Sequence, residues 1–328
     1  MMAGRILIAG AGAIGSMCGG MLAAGGHQVT MLGRAAHLDA IAERGLRLSG
    51  IFGAHTVRNL TLADQPARLS GRFDLILCAA KSYDTEAVAA ALAGRLNDDG
   101  AIVSMQNGLG NIETLAAHFG SERVLGARVI TGAELEAPGS VRVTVSAEPI
   151  AIGPAPEVAR EATAALAERA RKIADALHRS GIPAIAVADL MPVLWAKILY
   201  NVALNPLGAL LGLHYGALAE DPDLRTIMDA AIDEAFAVAR AVAVALPFAD
   251  AGAYREFFYG RLIPPTFHHR PSMLYDLKRR GRTEIGALNG RIVDLAKELS
   301  LRAETNAMLV KLIHAAERAR HRELENET

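Results

Sequence analysis

The chain has 328 residues, enough for about two domains that each bury a core. Apolar residues make up 52% and charged residues 21%, and 34 Lys plus Arg against 35 Asp plus Glu leave a formal charge of -1, so no electrostatic argument favours nucleic acid or an anionic membrane as partner. Two cysteines, Cys18 in a helical pattern and Cys78 in a strand pattern, build no disulfide framework and fit a reducing compartment as small core residues. Met1 to Ile14 is punctuated by glycine and runs straight into strand and helix patterns, so no targeting segment is read and the expected compartment is the cytoplasm. No apolar run of membrane-spanning length is uninterrupted: Lys197 and Pro206 break the best candidate, and Asp233, Glu234 and Arg240 the next.

Arg5 to Gly10, RILIAG, has the length of a buried parallel strand, and Ile14 to Ala24 reads as a helix ended by Gly25 and Gly26. Gly10, Gly12 and Gly15 form GxGxxG where they meet, with Ala13 and Ile14 inside the motif. The glycines permit a tight turn, close approach of backbone to a pyrophosphate and close packing of helix on strand, with the phosphates at the helix N-terminus. GxGxxG alone is weak evidence, but here the strand before it and the helix after it are the context the motif demands, so dinucleotide binding is expected.

Gln28 to Gly33 is the second strand and ends at Arg34, where an NAD site usually has Asp or Glu for the ribose 2′-hydroxyl. An arginine there suits a 2′-phosphate and points to NADP. The plainer reading is a solvated arginine opening the next helix, with Asp39 as a substitute acid. Asp74 to Ala80 is another buried strand, delivering Lys81, and Ala101 to Met105 is the next, followed by QNGLGN with Asn107 and Gly108. Ligands of open α/β sheets sit outside the carboxyl ends of the strands, so Gly10, Arg34, Lys81 and Asn107 should line one crevice.

After Gly120 the texture is that of short antiparallel strands, VLGARVIT, SVRVTV and PIAIG. Glu157 to Ser180 reads as a charged amphipathic helix and Ile182 to Val187 as a last strand, which places a domain boundary near Ala188. The expected fold is an α/β domain with a mostly parallel sheet over 1–188, then an all-α domain over 189–328 that ends in a solvated, frayed tail.

The helical half contains WAKILYNVALNPLGALL, in which Lys197, Asn201 and Asn205 recur at every fourth position and so share one helix face. A helix otherwise apolar all round is expected to be buried, and an unpaired buried amide costs roughly 2 to 7 kcal/mol, so this stripe should face a ligand or a polar network. The structural alternative makes Asn205 before Pro206 a helix-end device. Ser272, after Pro271, is an N-cap, a substrate contact or both. Glu284, after Thr283, sits where a helix dipole favours a carboxylate. Lys278, Arg279, Arg280 and Arg282 read as a solvated turn. His268 and His269 lack the spacing and companions of a metal site, so no metal is expected.

Seven pieces in order, GAGAIGS from Gly10, the arginine ending strand two, AAKSYDT around Lys81, QNGLGN, WAKILYNVALNPLGAL, PSMLYD and TEIGALNG, resemble the ketopantoate reductase (2-dehydropantoate 2-reductase) family over nearly the whole chain. The resemblance implies reduction of an α-keto acid with NADPH, in a cleft between a Rossmann-like domain and an all-helical one. It also implies Lys197 as the catalytic lysine and Glu284 as a catalytic-site carboxylate. Asn107, Asn201, Asn205 and Ser272 would surround substrate and nicotinamide, and Arg34 with Lys81 would hold the adenosine phosphate. The partner is a small 2-keto acid, and a homodimer is a candidate assembly. The chain departs from the family's frequent residues at Asp84, Gly208, Tyr275 and Glu304. Two other classes stay open: a related two-domain dehydrogenase of a different keto-acid, hydroxyacyl, polyol-phosphate or opine substrate, and a non-enzymatic NADP-binding sensor. The polar stripe argues against the sensor, because cofactor binding needs only the first domain.

Overall fold

The computed structural model describes residues 4–155 and 163–327. The chain divides into two compact units, Met1–Leu190 and Met191–Thr328. The first runs β1 (Arg5–Ala9), α1 (Ala13–Ala24), β2 (Gln28–Leu32), α2 (Ala35–Arg44), β3 (Leu46–Gly50), β4 (His55–Val57), β5 (Leu60–Ala63), β6 (Phe73–Cys78), α3 (Thr85–Leu92) and β7 (Leu96–Ser104). It continues with α4 (Asn111–Phe119), β8 (Val124–Arg128), β9 (Thr131–Ala137), β10 (Ser140–Ser146), β11 (Ile150–Gly153), α5 (Thr163–Arg179) and β12 (Ala184–Ala186).

An eight-stranded sheet has the order β12, β11, β8, β7, β6, β1, β2, β5. Its neighbours are parallel except β8 with β11. Its inner strands are near-continuous apolar runs because a parallel sheet is covered on both faces: Ile6, Leu7, Ile8 and Ala9 are fully buried, as are Ile76, Leu77 and Cys78. Cys18 is likewise buried. A second sheet of four strands has the order β4, β3, β10, β9.

The region after Gly120 has the expected antiparallel pairings, β8 with β11 and β9 with β10, but divides them between the two sheets. VLGARVIT splits, β8 adding to the large sheet parallel to β7 while β9 turns into the small one. β10 then pairs antiparallel with β9 and parallel with β3. Three strands between Leu46 and Ala63 have no counterpart in the sequence reading, because β3 to β5 are short and partly exposed and carry no strong period. The start of the helix expected from Glu157 lies outside the described residues; its remainder is α5.

The small sheet explains why α1 is apolar all round. It lies between the two sheets, and two adjacent glycines make room on opposite sides: a Cβ on Gly19 would press on Ile8 of β1, and one on Gly20 on Leu46 and Leu48 of β3. His37 of α2 ties the layers together. Its Nδ1 accepts from Gly139 N–H at 3.0 Å, in the β9–β10 turn, and its Nε2 lies 3.0 Å from Ser16 Oγ of α1. An accepting Nδ1 requires the neutral ring, and burial lowers its pKa in the same sense.

The second unit is helical: α6 (Met191–Leu211), α7 (Tyr215–Glu220), α8 (Pro222–Ala241), α9 (Ala251–Phe257), α10 (Ser272–Arg280), α11 (Asn289–Glu298) and α12 (Glu304–Glu327). The tail is thus a continuation of α12 as far as Glu327. By length and composition α6 could cross a membrane, but 72% of its most apolar stretch is buried within the protein, the surroundings of a core helix. It packs against α7, α8, α10 and α12.

Asn205 and Pro206 do not end α6, which continues through the proline to Leu211. A proline there has no N–H for the carbonyl of Val202, one turn earlier. Asn289, at the start of α11 and completely buried, supplies the missing donor: its Nδ2 bonds Val202 O at 2.9 Å. The same amide reaches Asn306 Oδ1 at 2.9 Å, and Asn306 Nδ2 reaches Glu234 of α8 at 2.7 Å. Glu234 also accepts the N–H groups of Thr305 and Asn306, capping α12 with a carboxylate where the helix dipole favours one. Asn289→Ala leaves a buried carbonyl unpaired and should lower stability by roughly 1 to 3 kcal/mol in urea unfolding. In a Pro206→Ala background the backbone N–H returns, so the same substitution should cost about 1 kcal/mol less; equal losses in the two backgrounds would refute this account of α6.

Candidate active site

The parallel register brings the strand ends to one edge. Ala9 of β1 pairs with Leu32 of β2 and Cys78 of β6, and Cys78 pairs with Ser104 of β7. Gly10, Arg34, Lys81 and Asn107 follow these residues by one to three positions, so all four lie beyond the same carboxyl edge of the sheet. Arg34 is exposed, and its carbonyl accepts the His37 N–H at 3.1 Å at the start of α2. Lys81 is half-buried, and its carbonyl accepts the Asp84 N–H at 2.8 Å in a single 3₁₀ turn. Asp84 is half-buried too and Asp39 exposed.

Each motif glycine meets a different constraint. Gly10 has φ of +107°, and a Cβ there would sit 2.5 Å from Ala80 N. A Cβ on Gly15 would collide with the Gly10 carbonyl oxygen and crowd Ile8, so this glycine lets α1 close onto β1. At Gly12, with an ordinary φ of -80°, a Cβ would meet nothing within 4 Å. The space beside Gly12 is open, no side chain caps α1, and its first turn holds no acidic residue. Ala13 and Ile14 are only partly buried at this end. That is the arrangement a pyrophosphate needs: backbone it can approach and a helix N-terminus to face.

In the second unit Lys197 is half-buried on α6, one and two turns before Asn201 (7% exposed) and Asn205 (5%). Asn205 Oδ1 accepts from Tyr215 Oη at 3.4 Å, so this amide serves the packing of α7 as well as the stripe. Burial keeps the Tyr215 hydroxyl protonated, raising its pKa well above the ordinary value. Tyr200, pushed to about 12 by burial, meets Thr266 Oγ1 at 2.8 Å and stacks edge-on to Tyr215.

Gly208 continues the stripe three residues after Asn205, about three turns from Lys197, and Pro271 lies against it where a side chain would stand. This contact brings the start of α10, and with it Ser272, to the carboxyl end of the stripe. Ser272 is exposed and is the first residue of α10, so the cap position falls to Pro271 and the N-cap reading of this serine is set aside. Asp276, one turn on and 8% exposed, is a buried carboxylate that no spacing or motif in the sequence singles out. Glu284 is 7% exposed, but the element after it is one 3₁₀ turn, Ile285–Ala287, with α11 starting only at Asn289. So short a turn has little dipole, so dipole complementation does not explain a carboxylate buried here. Among the described residues no three His, Cys, Asp or Glu side chains gather in a way that could hold a metal ion.

A doubly covered parallel sheet with a glycine turn opening α1, followed by a helical unit that carries a lysine and two amides on one helix face, suits a nicotinamide-dependent oxidoreductase. The sequence profile of the ketopantoate reductase PanE/ApbA family matches residues 6–157, and that of the same family's C-terminal region residues 189–317. The 2-dehydropantoate 2-reductase of Aquifex aeolicus is 36% identical over 316 residues, covering 95% of this chain and 97% of that one. That of Halobacterium salinarum is 32% identical, covering 96% and 99%. The crystal structure of a PanE/ApbA family ketopantoate reductase from Ralstonia eutropha JMP134 superposes with a TM-score of 0.83 at 32% identity, over 97% of this chain and 99% of that one. The chain belongs to the ketopantoate reductase family.

The two inner glycines predict opposite defects. Gly12→Ala should leave thermal stability unchanged and weaken binding of the nicotinamide dinucleotide at least about tenfold by fluorescence titration, about 1.4 kcal/mol. Gly15→Ala should instead lower stability by roughly 1 to 3 kcal/mol, as overpacking does. Unchanged affinity in the first variant would remove Gly12 from the phosphate site.

Proposed function

We propose that this protein reduces the ketone of a 2-keto acid to a 2-hydroxy acid with NADPH, and that the substrate is 2-dehydropantoate, the compound named in its curated relatives. The observation that carries the reading is Lys197 aligned with Asn201 and Asn205 on an otherwise apolar core helix, in a chain of this family. A bound nicotinamide supplies the hydride that adds to the carbonyl carbon. As it arrives, negative charge grows on the carbonyl oxygen; the Lys197 ammonium stabilises that charge and gives the oxygen its proton. Asn107, Asn201, Asn205 and Ser272 supply amide and hydroxyl donors for the substrate carboxylate and ketone, with Asn107 also facing the nicotinamide. Glu284, buried without a helix dipole to account for it, accepts from the primary hydroxyl that distinguishes 2-dehydropantoate from simpler keto acids.

Gly10, Gly12, Ala13, Ile14 and Gly15 receive the pyrophosphate in this reading, and Arg34 with Lys81 the 2′-phosphate. The preference for NADP over NAD rests on a guanidinium, with no carboxylate, at the end of β2. The domain assignment follows: residues 1–188 bind cofactor and 189–328 carry substrate and catalysis, in a cytoplasmic enzyme.

The test is reduction of 2-dehydropantoate against 3,3-dimethyl-2-ketobutyrate, which lacks only the primary hydroxyl. A site that pairs with a hydroxyl rejects the analogue strongly, so kcat/KM should fall at least roughly a hundredfold, and Glu284→Ala should shrink that ratio by damaging the first substrate far more. Arg34→Ala in the same assay should raise the KM for NADPH and leave that for NADH nearly unchanged, a charge-assisted contact being worth roughly 1.5 to 3 kcal/mol. Equal turnover of both acids would remove the hydroxyl-gripping role; equal losses with both cofactors would remove the phosphate assignment.

A further inference from the structure

The loop that carries Asn107 contains Gly108 and Gly110, with φ of +91° and +89°, so its own backbone does little to hold one conformation. Buried side chains compensate. Ser104 Oγ donates to Gln106 Oε1 at 3.2 Å, Gln106 Nε2 to Thr85 Oγ1 at 2.7 Å, Thr85 Oγ1 to Asn111 Oδ1 at 2.8 Å, and Asn111 Nδ2 to the Asn107 carbonyl at 2.9 Å. Ser104, Gln106, Thr85 and Asn111 are each 6% exposed or less.

The direction of the chain is determined by chemistry. Asn111 must donate through its nitrogen to a carbonyl, so its oxygen faces Thr85; Gln106 must donate through its nitrogen, so the Thr85 hydroxyl accepts there and spends its single proton elsewhere. That proton faces two acceptors, Asn111 Oδ1 and Ser82 O, each at 2.8 Å. Ser82 follows Lys81 directly. One hydroxyl on the first residue of α3 therefore binds both the turn after β6 and the loop after β7.

We propose that Thr85 is a positioning residue that orders the 105–111 loop and through it presents Asn107 to the cofactor and substrate. The inference rests on the site reading of Asn107 given above. A valine at 85 has nearly the shape of threonine without the hydroxyl; it leaves Gln106 Nε2 and Asn111 Oδ1 buried without this partner, whereas serine keeps it.

Thr85→Val should speed amide hydrogen exchange across 105–111 in the cofactor-free protein and lower kcat/KM at least roughly tenfold, and Thr85→Ser should restore both. If the effect passes through Asn107, it should shrink to less than about threefold in an Asn107→Ala background. Unchanged loop exchange, or a Thr85→Val penalty equally large with and without Asn107, overturns the proposal. A rate loss in Asn107→Ala with none in Thr85→Val defeats the inference and leaves the reading of Asn107 standing. A silent Asn107→Ala defeats that reading and the inference with it.

Discussion

Hydrogen-bonding groups taken out of water must find partners, and that constraint governs both halves of this protein. On α6 it applies to the amides of Asn201 and Asn205, buried in an otherwise apolar helix in line with the half-buried Lys197, and it is the ground on which a substrate site is proposed there. It also explains Asn289, whose amide stands in for the N–H that Pro206 lacks. In the first unit the same requirement runs through Thr85, Gln106 and Asn111, whose side chains can satisfy one another in only one donor order.

Sheet geometry supplies the second constraint. Parallel strands end at one edge, so four residues spread over nearly a hundred positions of sequence are brought to the same side of the sheet. Gly12 shows the division of labour within the first turn. Gly10 and Gly15 are glycine because the protein itself leaves no room, whereas nothing in the protein requires Gly12 to be one. In the proposed function the pyrophosphate accounts for its lack of a side chain.

Much of this was legible in the sequence because it rests on local periodicity. The buried strands β1, β2, β6 and β7 announce themselves as apolar runs bounded by turns, and the fourfold spacing of Lys197, Asn201 and Asn205 can be read without coordinates. What was hidden depends on tertiary partners. The small sheet joins β3 to β10 across some ninety residues, so no local pattern could separate VLGARVIT into strands of two sheets. Pro206 looked like a helix end because its compensating donor, Asn289, lies far along the chain. Glu284 looked like a dipole partner because the sequence does not reveal that its helix is one turn long. Thr85 and Asn111 are ordinary helix-start residues until the fold places them side by side.

The central claim is that the stripe on α6 is chemical in purpose, with Lys197 as the acid, and the most direct measurement is the single-turnover rate of Lys197→Ala taken together with its melting temperature. The account predicts a fall of roughly 10²-fold or more in the rate of hydride transfer, with cofactor affinity kept. A variant that melts at lower temperature yet turns over normally per folded molecule would contradict it, and would make the stripe a structural network alone.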